Sequence, residues 1–329
     1  MTSMGVTNWI YDYRLPLDVV DGYETQSATP NSSKSISDPL TGLAAPSEVD
    51  REMEVRSELE ADSVCSSWDP SQVVRSGIFG DEPYRPLLPD PFRRRVVDWS
   101  AAQDQNFRGW DFDSLMLARG DFSRSDFTNA EMRSQNVWSA IFQDSILYSA
   151  SIQYSGFRFV DFSGSDMRRL NGIKADLRDS KFNQSDLRGA NLTYANLRDV
   201  TLKEAKIFST MFFNAFLEGA SMVNVEGEGS CFCDARLEES TLIESAFNQA
   251  SFKGADLGNA RATGVDFRDV DFTDSDLSGT IFDGVDLRGA EIRNATLSDA
   301  VWTNTVCPDG STNSMSLPCL GDQQIPIQL

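Results

Sequence analysis

The sequence predicts an all-β solenoid of square cross-section, a rod of about ten stacked coils with a mostly irregular N-terminal extension. Three observations predict it. A large apolar residue returns at every fifth position from Phe107 to Trp302, a small residue stands two positions before it, and no insertion breaks the register. The stretch from Ser185 to Asp199 (Ser-Asp-Leu-Arg-Gly, Ala-Asn-Leu-Thr-Tyr, Ala-Asn-Leu-Arg-Asp) shows the unit three times over.

Five is neither the 3.6-residue period of a helix nor the two-residue period of a strand. A chain that turns one corner per five residues satisfies it, with two residues of each five pointing inward. Four such sides close a twenty-residue square coil. The large site is every position ending in 2 or 7, forty in all, and only Gly172, Gly227 and Ala262 are not bulky. From Gly120 onward the small site is nearly always Ala, Ser, Thr, Val or Gly, with Gln135 and Leu170 the exceptions. The expectation is that it sits at the crowded corner of a narrow interior.

Stacked coils join backbone N–H and C=O groups along the axis at about 4.8 Å per coil, so ten coils make a rod roughly 45–50 Å long. Residues twenty apart then stack. Phe122, Phe142, Phe162 and Phe182 form one inward ladder and Phe212, Phe232, Phe252 and Phe272 another. Leu177 through Leu297 form a third. These ladders account for a composition of 21 Phe against 7 Tyr.

On these residues the sequence resembles the pentapeptide repeat proteins, whose pattern is A(D/N)LXX. The resemblance covers about residues 105–304. It implies a right-handed quadrilateral β-helix. The run Cys307-Pro308-Asp309-Gly310-Ser311 resembles a Pro-Asp-Gly-Ser terminus of cyanobacterial and plastid members.

The flanks divide the chain into three parts: an arm over 1–104, the repeat over 105–304 and a tail over 305–329. Residues 24–48 are rich in Ser, Thr and Pro and read as a linker. A short helix is expected at 47–61, where Ser47 and Asp50 form a capping box and Val49, Met53 and Leu59 a partial apolar stripe. Pro83 to Pro91 should be extended. An open solenoid end exposes ladder residues and strand edges. Residues 88–106, with Trp99 and Trp110 flanking the first coil, are expected to cap one end, and 305–329 to fold over Trp302 at the other. Cys307 and Cys319 are then either joined by a disulfide or two unpaired thiols.

Composition excludes several chemistries. The chain has no histidine, which removes the usual general base and His-containing zinc sites. A net charge of −21 disfavours direct contact with a phosphate backbone. No apolar run is long enough for a transmembrane helix, so no membrane insertion is expected. Met1 to Thr25 lack a basic region followed by an apolar stretch, so no signal peptide is expected. The protein is then soluble and cytoplasmic or, if a targeting segment has been removed, resident in the plastid or thylakoid lumen.

No catalytic, cofactor-binding or metal-binding residue is expected. The Asp residues preceding the large site, such as Asp121, Asp126, Asp161, Asp166, Asp176, Asp186, Asp256, Asp266, Asp276 and Asp286, read as backbone-bonding corner residues rather than acid–base pairs. Cys231 and Cys233 are expected outward on either side of Phe232, too few ligands for zinc. Glu226-Gly227-Glu228-Gly229-Ser230 matches no phosphate loop and suggests a bulge at Gly227.

The outward positions carry the interest. Asp166/Arg168, Asp186/Arg188, Asp266/Arg268 and Asp286/Arg288 read as a solvated ion-pair ladder. Arg158, Arg178 and Arg198 stack in one column. Trp138, Ile141, Ile146, Tyr148 and Tyr154, then Phe208, Met211, Phe213 and Phe216, put apolar groups where the repeat is normally polar. These are the partner-binding candidates, the alternative being that the N-terminal arm lies over them. The leading expectation is a non-catalytic interaction or scaffold protein, a structural or assembly subunit of a larger complex, photosynthetic in one version. The alternative is an acidic DNA mimic acting on a type II topoisomerase, since some members of the resembled family protect gyrase. The repeat's 30 acidic and 20 basic residues give it only −10, and the Arg column interrupts an acidic stripe.

Overall fold

The computed structural model describes residues 99–100, 102–112, 115–313 and 319. The expected helix at 47–61, the Pro83 to Pro91 stretch and the 88–98 part of the cap lie outside these residues.

The described chain is a solenoid of square coils. A walk in twenty-residue steps from Asn106 reaches Val306 through an unbroken series of parallel bridges, beginning Asn106↔Asp126 and ending Asp286↔Val306. Four five-residue sides make each coil. Side 1 comprises 120–124 and its twenty-residue equivalents; sides 2, 3 and 4 comprise 125–129, 130–134 and 135–139 and theirs. On side 1 of the later coils the bridging widens into a five-stranded parallel sheet, β1 (Ser221–Val223), β2 (Thr241–Ile243), β3 (Arg261–Thr263), β4 (Ile281–Asp283) and β5 (Val301–Thr303). Its register is twenty residues per strand, Met222 beside Leu242 and Leu242 beside Ala262.

The corners differ from the expectation in one respect. The bend falls on the two residues after the large site, and the small residue closes it. In the corner after Phe127, Ala130 donates its N–H to the Phe127 carbonyl at 2.9 Å, and Asn129 between them has φ 57°. A positive φ at the third residue of a hydrogen-bonded four-residue turn is the type II geometry. Every described position ending in 4 or 9 from Asp104 to Asn304 has the same positive φ, and most of these corners close the same hydrogen bond. Those positions are rich in Asn, Asp and Gly, which enter the left-handed region at least cost.

Inside, the ladders are as the twenty-residue arithmetic requires. Phe122–Phe142, Phe142–Phe162 and Phe162–Phe182 stack with ring centroids 5.0, 5.4 and 5.2 Å apart. Phe212, Phe232 and Phe252 stack at 4.7 and 4.6 Å. All are buried. Serines at the small site mostly turn their hydroxyls to a carbonyl: Ser145 Oγ donates to the Phe142 carbonyl at 2.6 Å, and Ser180 Oγ reaches the Phe157 carbonyl of the preceding coil at 2.7 Å, while the Ser240 hydroxyl is buried without a partner.

Gly227 forms no bulge. Its N–H stays in the ladder, donating to the Ala246 carbonyl at 2.7 Å. Its lack of a side chain makes room for the Phe247 ring, 2.7 Å from where a Cβ would lie. The glycine is a packing choice.

Both ends are covered. Trp99 lies against Phe122, Phe107 and Phe112 at 5.5, 5.9 and 6.4 Å, and its indole N–H donates to the Met116 carbonyl at 2.8 Å. At the far end Trp302 stacks on Phe282 at 4.4 Å. The chain then turns back in an antiparallel hairpin, β6 (Thr305–Val306) and β7 (Thr312–Asn313). A disulfide joins Cys307 to Cys319, both buried. Asp309 accepts from the Ser311 N–H and hydroxyl at 2.8 and 2.7 Å, shaping that turn.

Candidate interaction surface

The ladders fill the interior with side chains, so chemistry has to be sought on the walls. The aspartates before the large site are committed to backbone. Asp121 accepts from the Ser123 N–H at 3.1 Å, Asp256 from the Gly258 N–H at 2.9 Å and Asp276 from the Ser278 N–H at 2.9 Å. This is the short-range Asx bond that a tight corner favours. Asp166, Asp186, Asp266 and Asp286 add an ion pair to the Arg two residues on, at 2.8, 2.7, 2.6 and 2.5 Å. Arg168 also lies 3.9 Å from Asp186 in the next coil.

The two cysteines of side 3 part company. Cys231 is fully buried, against the expectation that both sulfurs face solvent, whereas Cys233 is half-buried with its Sγ 3.3 Å from Ser251 Oγ. Burial pushes the Cys233 thiol above its ordinary pKa, against the opposing pull of the Ser251 hydroxyl. That makes it a poor nucleophile. Among the described residues no group of three or more Cys, Asp or Glu is placed to hold a metal ion.

The apolar candidates do not form one patch. Ile141 is on side 1; Ile146, Tyr148 and Phe208 are on side 2; Tyr154, Met211 and Phe213 are on side 3; Trp138 and Phe216 are on side 4. Tyr148 is half-buried between Arg168 and Arg169, 5.4 and 5.9 Å from their guanidinium carbons, and Tyr154 lies 5.9 Å from the Lys174 ammonium. Ile146, Phe208 and Met211 are half-buried as well. Phe213 is only 2% exposed.

Side 4 is where candidates converge. Trp138 is 38% exposed, and the Arg119 guanidinium sits over its ring at 4.1 Å. In the next coil Arg158 lies over Phe159 at 5.5 Å, and Phe159 is 54% exposed. Met116, one coil before Trp138, is 40% exposed. The column continues through Arg178, paired with Asp176 at 2.6 Å, and Arg198, paired with Glu218 at 2.8 Å and stacked 4.6 Å over Phe216. Arg158 is the member whose Nε is buried without a hydrogen-bond partner. Phe159 and Met116 escaped sequence reasoning, although numbering modulo twenty places both beside Trp138. Phe159 occupies a left-handed turn position, φ 58°, where an aromatic is unexpected.

Two family models match the chain, each described as pentapeptide repeats: one of eight copies over residues 173–207 and one of nine copies over 247–291. The chain is a pentapeptide repeat protein. Among solved structures it is similar to HetL, a pentapeptide repeat protein involved in heterocyst differentiation regulation from the cyanobacterium Nostoc sp. strain PCC 7120. That match has TM-score 0.53 and 23% identity, over 65% of this chain and 94% of HetL. It supports the fold. Weaker likenesses are to QnrB1, a plasmid-mediated fluoroquinolone resistance protein (TM-score 0.33, 16% identity, 64% of this chain and 92% of that one), and to the Arabidopsis thaliana thylakoid-lumen protein AT2G44920 (TM-score 0.16, 25% identity, 37% and 67%). No curated protein matches. Among the described residues no helix is long and apolar enough to cross a membrane.

Proposed function

We propose that the protein is a non-catalytic interaction subunit that docks on a protein partner through the N-terminal half of side 4. The observation that carries this is the placement of Met116, Trp138 and Phe159 on side 4 of three successive coils, each more than one-third exposed, with Arg119 and Arg158 stacked on the two rings. Aromatic and arginine side chains presented together are the composition of interface hot spots. A buried Cys307–Cys319 disulfide favours an oxidising compartment, which suits a lumenal or otherwise exported assembly better than the cytosol. The reading as a structural or assembly subunit, photosynthetic or other, rests on this surface and on an interior that leaves only walls for work.

The test is affinity capture from the native source with the intact chain and with a Trp138→Ser/Phe159→Ser variant, followed by mass spectrometry. The expected result is a defined set of partners retained by the first and lost by the second. Identical recoveries from both overturn the assignment to side 4. The gyrase alternative has less support, because the Asp166, Asp186, Asp266 and Asp286 carboxylates are each neutralised by an adjacent arginine. An unchanged gyrase supercoiling rate at micromolar protein is the expected outcome.

A further inference from the structure

The two ends of side 4 are complementary. At the outward positions of its first five coils, Arg119, Arg158, Arg178 and Arg198 stand against Asp176, Asp179 and Asp199, a balance of +1. In the last five coils Arg236 stands against Glu218, Glu238, Glu239, Asp256, Asp276 and Asp299, a balance of −5. Bulk divides the same way. The first end projects Met116, Trp138 and Phe159, and the far end presents Gly258, Asn259 and Ser278.

A wall of this kind matches its own copy turned end for end. We infer that, given side 4 as a docking face, its partner is a second copy of this chain, packed antiparallel about a two-fold axis between the fifth and sixth coils.

The twenty-residue register fixes the contacts. A two-fold axis lying in the interface across the rods makes the same patch serve both copies. It sets the fourth coil of one copy opposite the seventh of the other and each column of residues opposite the same column. Arg178 then faces Glu238, Arg198 faces Glu218, Asp176 faces Arg236 and Arg119 faces Asp299, each pair occurring twice. Trp138 falls opposite Ser278, and Phe159 opposite Asn259 beside Gly258, where the wall leaves room. Asp179 against Glu239 is the one like-charged pair of this register. Parallel rods would instead set arginine coils on arginine coils and acidic coils on acidic coils.

The acidic end lacks cations of its own. Glu218 has Arg198 at 2.8 Å, but among the described residues Glu238, Glu239, Asp256 and Asp276 form no ion pair. In the dilute monomer, burial and then the Asp256 and Glu218 charges push the Glu238 carboxyl above its ordinary pKa. A wall about 48 Å long and roughly 12 Å wide buries about 1,200 Å² in the pair, the lower limit of a specific interface, so the dimer is of micromolar affinity. At about 0.15 M salt the Debye length of about 8 Å screens the overall repulsion of two chains of charge −21 and leaves the contact pairs in force.

The test is sedimentation of the full chain at that salt and high micromolar concentration. The expected result is twice the monomer mass. Arg178→Glu and Glu238→Arg should each weaken the dimer at least about ten-fold, since each creates two like-charged contacts. An equimolar mixture of the two variants should recover it, because both contacts are then opposite in charge. Arg119→Glu with Asp299→Arg repeats the test on independent residues. An isotope-labelled bait in the affinity capture should also return the unlabelled native chain. A wild-type chain that stays monomeric overturns the pairing; another protein lost from the Trp138→Ser/Phe159→Ser bait would still keep side 4 as a docking face. Dimers unaffected by the single variants, or mixtures no better than their components at both residue pairs, overturn it as well.

Discussion

The two halves of side 4 share an interior and differ outside. Inward, Val137, Phe157, Leu177 and Leu197 continue without a break into Leu217, Leu237, Leu257 and Leu277, all buried. Outward, the first half carries Met116, Trp138, Phe159 and the arginines 119, 158, 178 and 198. The second half presents Glu218, Glu238, Glu239, Asp256 and Asp276 at equivalent positions. The fold demands volume and shape within and almost nothing without. An aromatic at a position that elsewhere holds Glu or Asp has no role in the coil, and this is why the first half reads as an interface.

If that division holds, the inward residues dominate stability wherever they lie. Phe232 has a ring stacked on each side, at 4.7 and 4.6 Å, and its truncation leaves a void that rigid coils cannot collapse. Phe232→Ala should cost about 3–5 kcal/mol, read as a lowered urea midpoint. A loss under about 1 kcal/mol would mean that the coils slide to fill the gap and that the ladder is not rigid. Gly227 tests the same idea from the opposite side. Gly227→Ala drives a methyl group toward the Phe247 ring, which lies 2.7 Å from the Cβ position, and should cost about 1–3 kcal/mol by overpacking. The same substitution at a true bulge would be nearly neutral.

How much of this was legible in the sequence follows the same division. The ladders were readable because the inward register repeats every twenty residues without an insertion: Phe142 and Phe162 had to meet, and they do at 5.4 Å. Trp302 was readable as the end of a ladder, and it stacks on Phe282 at 4.4 Å. The left-handed corner at every fifth residue was not seen, although the Asn, Asp and Gly enrichment at those positions encodes it. The reason is that a rule satisfied by many residue types leaves a weak compositional trace. Phe213 looked like an exposed candidate because outward direction can be counted from the repeat and burial cannot. For the same reason Cys231 was expected in solvent and is fully buried.

Phe159 sharpens the comparison, because at its position function and fold disagree. An aromatic with φ 58° pays a conformational cost that Asn, found at the equivalent Asn259 corner, largely escapes. Phe159→Asn should therefore stabilise the protein by up to about 1 kcal/mol while weakening partner capture. Thermal unfolding and affinity recovery of one variant measure both effects. A variant that gains stability and keeps its partners would show that Phe159 is a tolerated accident of the repeat rather than a contact.

The smallest effect expected lies at Glu238, in the acidic half. Burial raises its pKa above the ordinary glutamate value, with the Asp256 and Glu218 charges adding to the push. The folded state therefore holds this proton to a higher pH than the unfolded chain does. Stability from that source is complete below the ordinary glutamate value and is lost as pH rises through the raised one. Asp266 and Asp286 run the other way. Their hydrogen bonds from Arg268 and Arg288 hold them below the ordinary range, so what they contribute is present above it and disappears as pH falls through the lowered values. Because Glu238 is partly in solvent, Glu238→Gln should raise the melting temperature at pH 7 by less than the roughly 2–4 °C that 1 kcal/mol is worth in a domain of this size. It should leave the melting temperature at pH 3.5 unchanged, since both states are then protonated. An equal shift at both pH values would trace the gain to packing, and the carboxylates of the second half would then not repel one another along the rod.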